Sequence, residues 1–250
     1  MNASHSPDLV GSSPDPPINA SHSSAPAGPS SEGRIRMIER IAADVGHAVR
    51  SPLQSLYINI EVLRRRIQSN ARQDALERTD VIEKEVHRIA ELLEAFMIVL
   101  LPSRSPVEAF DLDRAIDRIA PLLELLAREH RRGFARSSAS VLVCAPQELL
   151  LSAMALAAAA VCDTIPSASR AELRLSVKPD ADAVHVHIES VPPNERIDDL
   201  ASASVDLAAF LRDADGTITL DSGSPARSPG RFCLRVPRAD ACLTEASAQP

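Results

Sequence analysis

The stretch Ala43-Asp44-Val45-Gly46-His47-Ala48-Val49-Arg50-Ser51-Pro52-Leu53 sets one histidine five residues ahead of a proline, inside a long run of helical periodicity. A mid-helix proline removes a backbone donor and crowds the carbonyl one turn back, at a cost of roughly 3 kcal/mol. Around it, Ile38, Ile41, Val45, Val49, Leu53, Leu56, Ile60, Leu63 and Ile67 recur at spacings of three and four. That periodicity predicts one helix from Arg34 to about Gln68, bent at Pro52. The polar run Ser69 to Asp74 makes a turn, and Ile82, Val86, Ile89, Leu93, Phe96 and Leu100 predict a second helix over Ala75 to Leu101 with a heptad seam.

Two helices alone leave much of both seams wet, since a core needs a second layer. Either a second copy covers them in a four-helix bundle, which predicts a homodimer, or the hairpin packs on the second half of its own chain. His47 falls between the seam residues Val45 and Val49. At about 100° per residue it points off the seam into solvent, with Arg50 and Ser51 one turn along on the same face.

This stretch resembles the H-box of bacterial sensor histidine kinases, in which a phospho-accepting His is followed by an acidic residue, commonly Arg, a Thr or Asn, and Pro-Leu. His47, Arg50, Pro52 and Leu53 fit; Ala48 and Ser51 depart. The resemblance implies that His47 is the phosphoacceptor and Arg50 and Ser51 its neighbours in the site, with Ser51 where the Thr or Asn would position water. It also implies a receiver-docking face just beyond, including Gln54, Ser55 and Ile58. Further along, Pro102 to Pro106 marks a boundary, Asp111 to His130 reads as a helix bent at Pro121, and Val141 to Val143 as a short strand. Pro146 to Cys162 reads as an apolar helix, 171 to 177 and 183 to 190 as a hairpin, and Ala203 to Ala214 as a helix. Thr217 to Asp221 and Gly230 to Val236 close the order, which is similar to the GHKL-type ATP-binding domain of the same kinases.

The expected fold is therefore a long antiparallel helical hairpin forming a dimeric four-helix bundle, followed by a small α/β sandwich resembling a degenerate histidine-kinase ATPase domain. Its expected divisions are a disordered leader over 1–33, rich in Ser and Pro, a dimerisation and phosphoacceptor domain over 34–102, the ATPase-like domain over 106–238, and a polar tail over 239–250. In intact kinases the helix before the hairpin carries an Asn that holds Mg²⁺, and the strand after it ends in an Asp and glycines against the adenine. Ala160 and Glu189 occupy those positions, and no glycine occurs between Gly133 and Gly216. Alanine offers no oxygen to a hard cation, and side chains block the close backbone approach that glycine permits. Ser204 to Phe210 replaces a Gly-rich lid end. Ala48 also removes the acid that would draw the imidazole proton, a loss of typically 10² to 10⁴ in rate. The expectation is no ATP, no metal and no other cofactor, with ATP and Mg²⁺ needed only if the chain is an active kinase.

Composition narrows the remaining classes. A chain of 250 residues with 45% apolar residues supports a real core, and a net charge of −7 gives no footprint for nucleic acid or an anionic membrane. Arg64-Arg65-Arg66 reads as a wet helix face. Cys144, Cys162, Cys233 and Cys242 show no C-x-x-C spacing and read as reduced thiols of a cytosolic protein. The nearest approach to a membrane span, Leu149 to Val161, is short, and no secretory signal is legible, so a cytoplasmic location is expected. His185 and His187 share a strand face without convergent ligands, His87 and His130 lie in helices among charges and read as solvated, and His5 and His22 repeat in a low-complexity run. Three functions stay open. The first is a phosphorelay protein whose His47 accepts and passes phosphoryl groups to or from response-regulator receiver domains. The second is a divergent but active ATP-dependent histidine kinase. The third is a non-enzymatic pseudokinase or adaptor acting through dimerisation and receiver binding.

Overall fold

The computed structural model of the chain describes residues 29–68, 72–101, 105–137, 139–164, 171–192, 197–212, 217–220 and 231–240. Helices α1 (Pro29–Gln68) and α2 (Arg72–Leu100) form the hairpin. α1 starts ahead of the expected Arg34, with Pro29 in first position, where the missing N–H costs nothing because no intrahelical acceptor awaits it. Residues 29–33 are thus helical rather than part of a disordered leader; 1–28, with His5 and His22, lie outside the described residues, as do 241–250. α1 continues through Pro52. Between the helices, Asn59 is buried and donates to the Ser55 carbonyl at 2.9 Å, while the Arg78 guanidinium of α2 donates to its Oδ1 at 3.2 Å.

The second half is built from β1 (Val107–Asp111), α3 (Leu112–Asp117), α4 (Ala120–Glu129), β2 (Gly133–Ser137), β3 (Leu142–Pro146), α5 (Gln147–Thr164), β4 (Glu172–Pro179), β5 (Ala183–Val191), α6 (Ile197–Leu211), β6 (Thr219–Leu220) and β7 (Arg231–Pro237). The main sheet runs β2-β4-β5-β7-β6, parallel only at β2/β4, and β1 pairs antiparallel with β3 in a separate ribbon. The hairpin expected at 171–190 is β4/β5, in register from Glu172 opposite Val191. Its inward residues Leu173, Leu175, Val184, Val186 and Ile188 join the core with α5, buried from Leu149 to Cys162. α5 is long and apolar enough to cross a membrane, but 83% of it lies buried inside the fold, which makes it a core helix. The expectation that no stretch reaches that length is corrected: α5 adds Gln147 and Glu148 ahead of Leu149–Val161 and Cys162, Asp163 and Thr164 after it.

The single helix expected over Asp111 to His130 is also corrected. Asp111 ends β1 and caps α3, its carboxylate accepting from the Asp113 and Arg114 amides. The Arg118 and Ile119 amides close tight turns onto Ala115 and Ile116, and Pro121 sits in the first turn of α4 rather than at a mid-helix bend. α4 ends in a Schellman turn: the Arg131 amide reaches the Arg128 carbonyl and the Arg132 amide the Ala127 carbonyl, each at 2.8 Å. That motif needs a left-handed residue after the cap, and Arg131 takes it at φ 58°.

Hairpin and sandwich share one core. Leu92, Ala95, Ile98 and Val99 of α2 are buried in it, and the Ser152 hydroxyl of α5 donates to the Val99 carbonyl at 3.4 Å. The start of α1 lies on α6, with the Arg34 guanidinium 4.8 Å from the centre of the Phe210 ring. Gly33 meets Asp206 so closely that a Cβ there would collide with the carboxylate.

Candidate functional site

About three turns into α1, an ionic cluster fixes how α1 sits against α4 and α5. Arg40 pairs with Asp163 of α5, and His130 at the end of α4 lies 3.9 Å from the same carboxylate. His130 therefore belongs to this cluster rather than to open solvent. Asp44 lies between them: burial pushes its carboxyl above the ordinary range, His130 and Arg40 pull it down, and Glu129 and Asp163 oppose them. One of its oxygens is sealed from solvent and accepts no hydrogen bond among the described residues.

One turn later the cluster opens into a cleft. Its walls are His47, Ala48, Ser51, Pro52 and Ser55 from α1, Glu85 and Arg88 from α2, and Arg128 and Glu129 from α4, around a volume of about 470 Å³. The His47 imidazole is exposed. Pro52 has no N–H to give to the Ala48 carbonyl, so the helix ladder is interrupted on the wall beside His47. Chemically, the cleft sets an imidazole nucleophile beside two hydroxyls, two guanidinium groups and two carboxylates, with room for an incoming side chain.

Of the residues singled out in sequence, Ser51 and Ser55 share this cleft with His47; Arg50 is exposed and does not line it. Gln54 and Ile58 are exposed further along α1, and the Ser55 hydroxyl also takes a hydrogen bond from Asn59 at 3.3 Å. Ala160 is buried on α5. It lines a separate hollow of about 390 Å³ whose other walls are Gly33, Arg36, Met37 and Arg40 of α1, Asp163 and Thr164 of α5, and Ala203 and Asp206 of α6. Glu189 sits in the ladder of the main sheet, opposite Arg174 on one side and Arg231 on the other. Among the described residues no group of three His, Cys, Asp or Glu side chains is placed to hold a metal. His185 and His187 stack with ring centres 6.3 Å apart, and His185 Nδ1 lies 3.6 Å from Cys233 Sγ; His87 is an exposed partner of Glu91 at 3.4 Å.

No protein-family model matches the sequence, and no curated protein matches it. Solved structures similar to this chain include several histidine kinases and a bacterial phosphotransferase. The Acinetobacter baumannii histidine kinase AdeS is 14% identical over 77% of this chain and 98% of its own, with a TM-score of 0.42. The cytoplasmic segment of histidine kinase QseC is 10% identical over 60% of this chain and 93% of its own, with a TM-score of 0.38. A bacterial phosphotransferase is 13% identical over 80% of this chain and 95% of its own, also at 0.38. At these values no residue role follows from the likeness.

The residues that sequence reasoning missed are Glu85, Arg88, Arg128 and Glu129. They come to His47 from two other helices, and nothing local in the sequence marks them.

Proposed function

We propose that this chain is a two-component phosphorelay protein of histidine-kinase type, working in the cytoplasm as a homodimer. His47 accepts phosphoryl groups from, or passes them to, response-regulator receiver domains, without ATP. The observation that carries this reading is the exposed His47 imidazole in an open cleft on the helical hairpin. Transfer from an aspartyl phosphate needs chiefly positioning and charge stabilisation, which a receiver and a preformed cleft supply together. Ser51 lies within reach of the transferring group, while Arg50 with Gln54, Ser55 and Ile58 offers the receiver a mixed polar and apolar rim.

The absence of an ATP role is supported by chemistry at the two expected positions. Ala160 brings a methyl group to a hollow already walled by α1, where Asp163 is engaged by Arg40. Glu189 lies among paired strands rather than in a glycine turn. The homodimer is supported by apolar side chains left open on one side of each helix, Leu53, Tyr57 and Ile60 on α1 and Val86, Leu93 and Met97 on α2. They recur at spacings of four, three and seven, the pattern of an uncovered bundle seam. Calorimetric titration of the purified chain with Mg·ATP tests the cofactor part. No saturable heat up to millimolar nucleotide is expected, and saturation at micromolar to sub-millimolar concentration would make the chain a nucleotide-binding kinase instead.

A further inference from the structure

Arg88 and Arg128 line the same cleft as His47, one from α2 and one from α4, so the hairpin and the sandwich each contribute one guanidinium to it. Both also border the neighbouring groove of about 500 Å³ that runs past Leu92, Arg118 and Pro121, where Arg118 is occupied by Glu94 at 3.6 Å. Among the described residues neither Arg88 nor Arg128 makes an ion pair, although Glu85 and Glu129 line the same cleft. The two carboxylates leave these four side chains formally neutral, a balance that does not retain a free anion. A phosphoryl group held covalently on His47 brings two negative charges and three acceptor oxygens, and a planar guanidinium matches such a group with two parallel donors.

We propose that Arg88 and Arg128 bind the phosphoryl group on His47, so that the phosphoacceptor site is completed by the α/β half of the chain rather than by the hairpin alone. The inference rests on the relay reading above. In the transfer step a neutral ring nitrogen of His47 attacks phosphorus. The P–N bond forms as the bond from phosphorus to the receiver's aspartyl oxygen breaks. The electron pair leaves with that carboxylate, and the proton on the other ring nitrogen stays there, giving a cationic ring next to the dianionic phosphoryl group. The two arginines stabilise charge on the transferring oxygens, which are in place only during and after the step.

Phosphoramidate tests this without knowledge of the receiver, because the same attack on its phosphorus releases ammonia and leaves the phosphoryl group on His47. The full-length chain, H47A, R88Q, R128Q, the double variant R88Q/R128Q, and R88K/R128K are each treated with it, and phosphohistidine is located and timed by mass spectrometry. R65Q, which alters an exposed α1 arginine paired with Glu61, serves as the control. Each single glutamine variant is expected to slow labelling of His47 about 10-fold and the double variant about 100-fold, with lysine restoring part of the loss and R65Q unchanged. Unaltered melting curves separate this effect from unfolding. If the double variant labels His47 at the wild-type rate while H47A is unlabelled, the arginine proposal is overturned and the relay reading stands. If wild type and H47A label alike, or His47 takes no label, both fall.

Discussion

Replacing Leu93 by Glu should turn the proposed dimer into a monomer. Leu53, Tyr57, Ile60, Val86, Leu93 and Met97 are between 41% and 75% exposed in the single chain. Full burial of such a side chain is worth about 1.5–3 kcal/mol, so covering the open half of each returns roughly 1 kcal/mol. With both protomers contributing, the seam supplies roughly 10–18 kcal/mol gross, against an association cost of about 4–15 kcal/mol. At the middle of both ranges the surplus is about 4–5 kcal/mol. L93E deletes two of these contributions, about 2 kcal/mol, and adds a carboxylate from each protomer whose desolvation costs several kcal/mol more. The two together exceed the surplus. L93A loses only burial and should weaken the dimer by about 10- to 100-fold. Sedimentation equilibrium from about 1 to 100 µM reads both variants against wild type. A wild-type chain monomeric throughout, or an L93E chain as dimeric as wild type, would refute the seam argument.

Three further outcomes follow from single side chains. Arg131 holds a left-handed conformation that glycine adopts without steric cost, so R131G should raise stability by about 0.5–1 kcal/mol in urea denaturation; a loss of that size would mean the guanidinium has a structural role. Burial raises the Asp44 carboxyl in the folded state, which therefore holds its proton more tightly than the unfolded chain does. Wild-type stability must fall as pH rises from the ordinary aspartate value of 3.8 through the raised one, so D44N should melt higher than wild type at neutral pH and equal to it in acid. Equal melting at both pH values would contradict the burial argument. Burial pushes the Cys162 thiol up to about 12, so it should stay unreactive toward a thiol reagent at pH 8 until the chain unfolds, as quantified by peptide mass spectrometry.

The helical hairpin was legible because its apolar residues keep one period for about eight turns from Ile38 to Ile67 and about five from Ile82 to Leu100. The β4/β5 pair was legible because it alternates and its partners are adjacent in sequence. β2 was not: Gly133–Ser137 carries no clean alternation, and its partner among the described residues, β4, is parallel and reached across α5. The break between α3 and α4 had a local sign in Pro121, which suits a first helical turn as well as a bend. The Schellman turn at Arg131 had none, since arginine stands where glycine usually marks it. The site divides the same way. His47 and Ser51 were readable from one helix; Arg88 and Arg128 were not, because only the docking of α4 against the hairpin brings them to the same cleft. Arg50, chosen for its spacing from His47, lies on the rim outside it.

A panel of phosphorylated receiver domains mixed with the purified chain tests phosphoryl transfer at His47. Acid-labile label should move from at least one receiver to the chain within minutes, map to His47, and be lost in H47A while that variant keeps the wild-type mass in solution. Failure of every receiver to donate label, or labelling of H47A as readily as wild type, would exclude His47 as the phosphoacceptor.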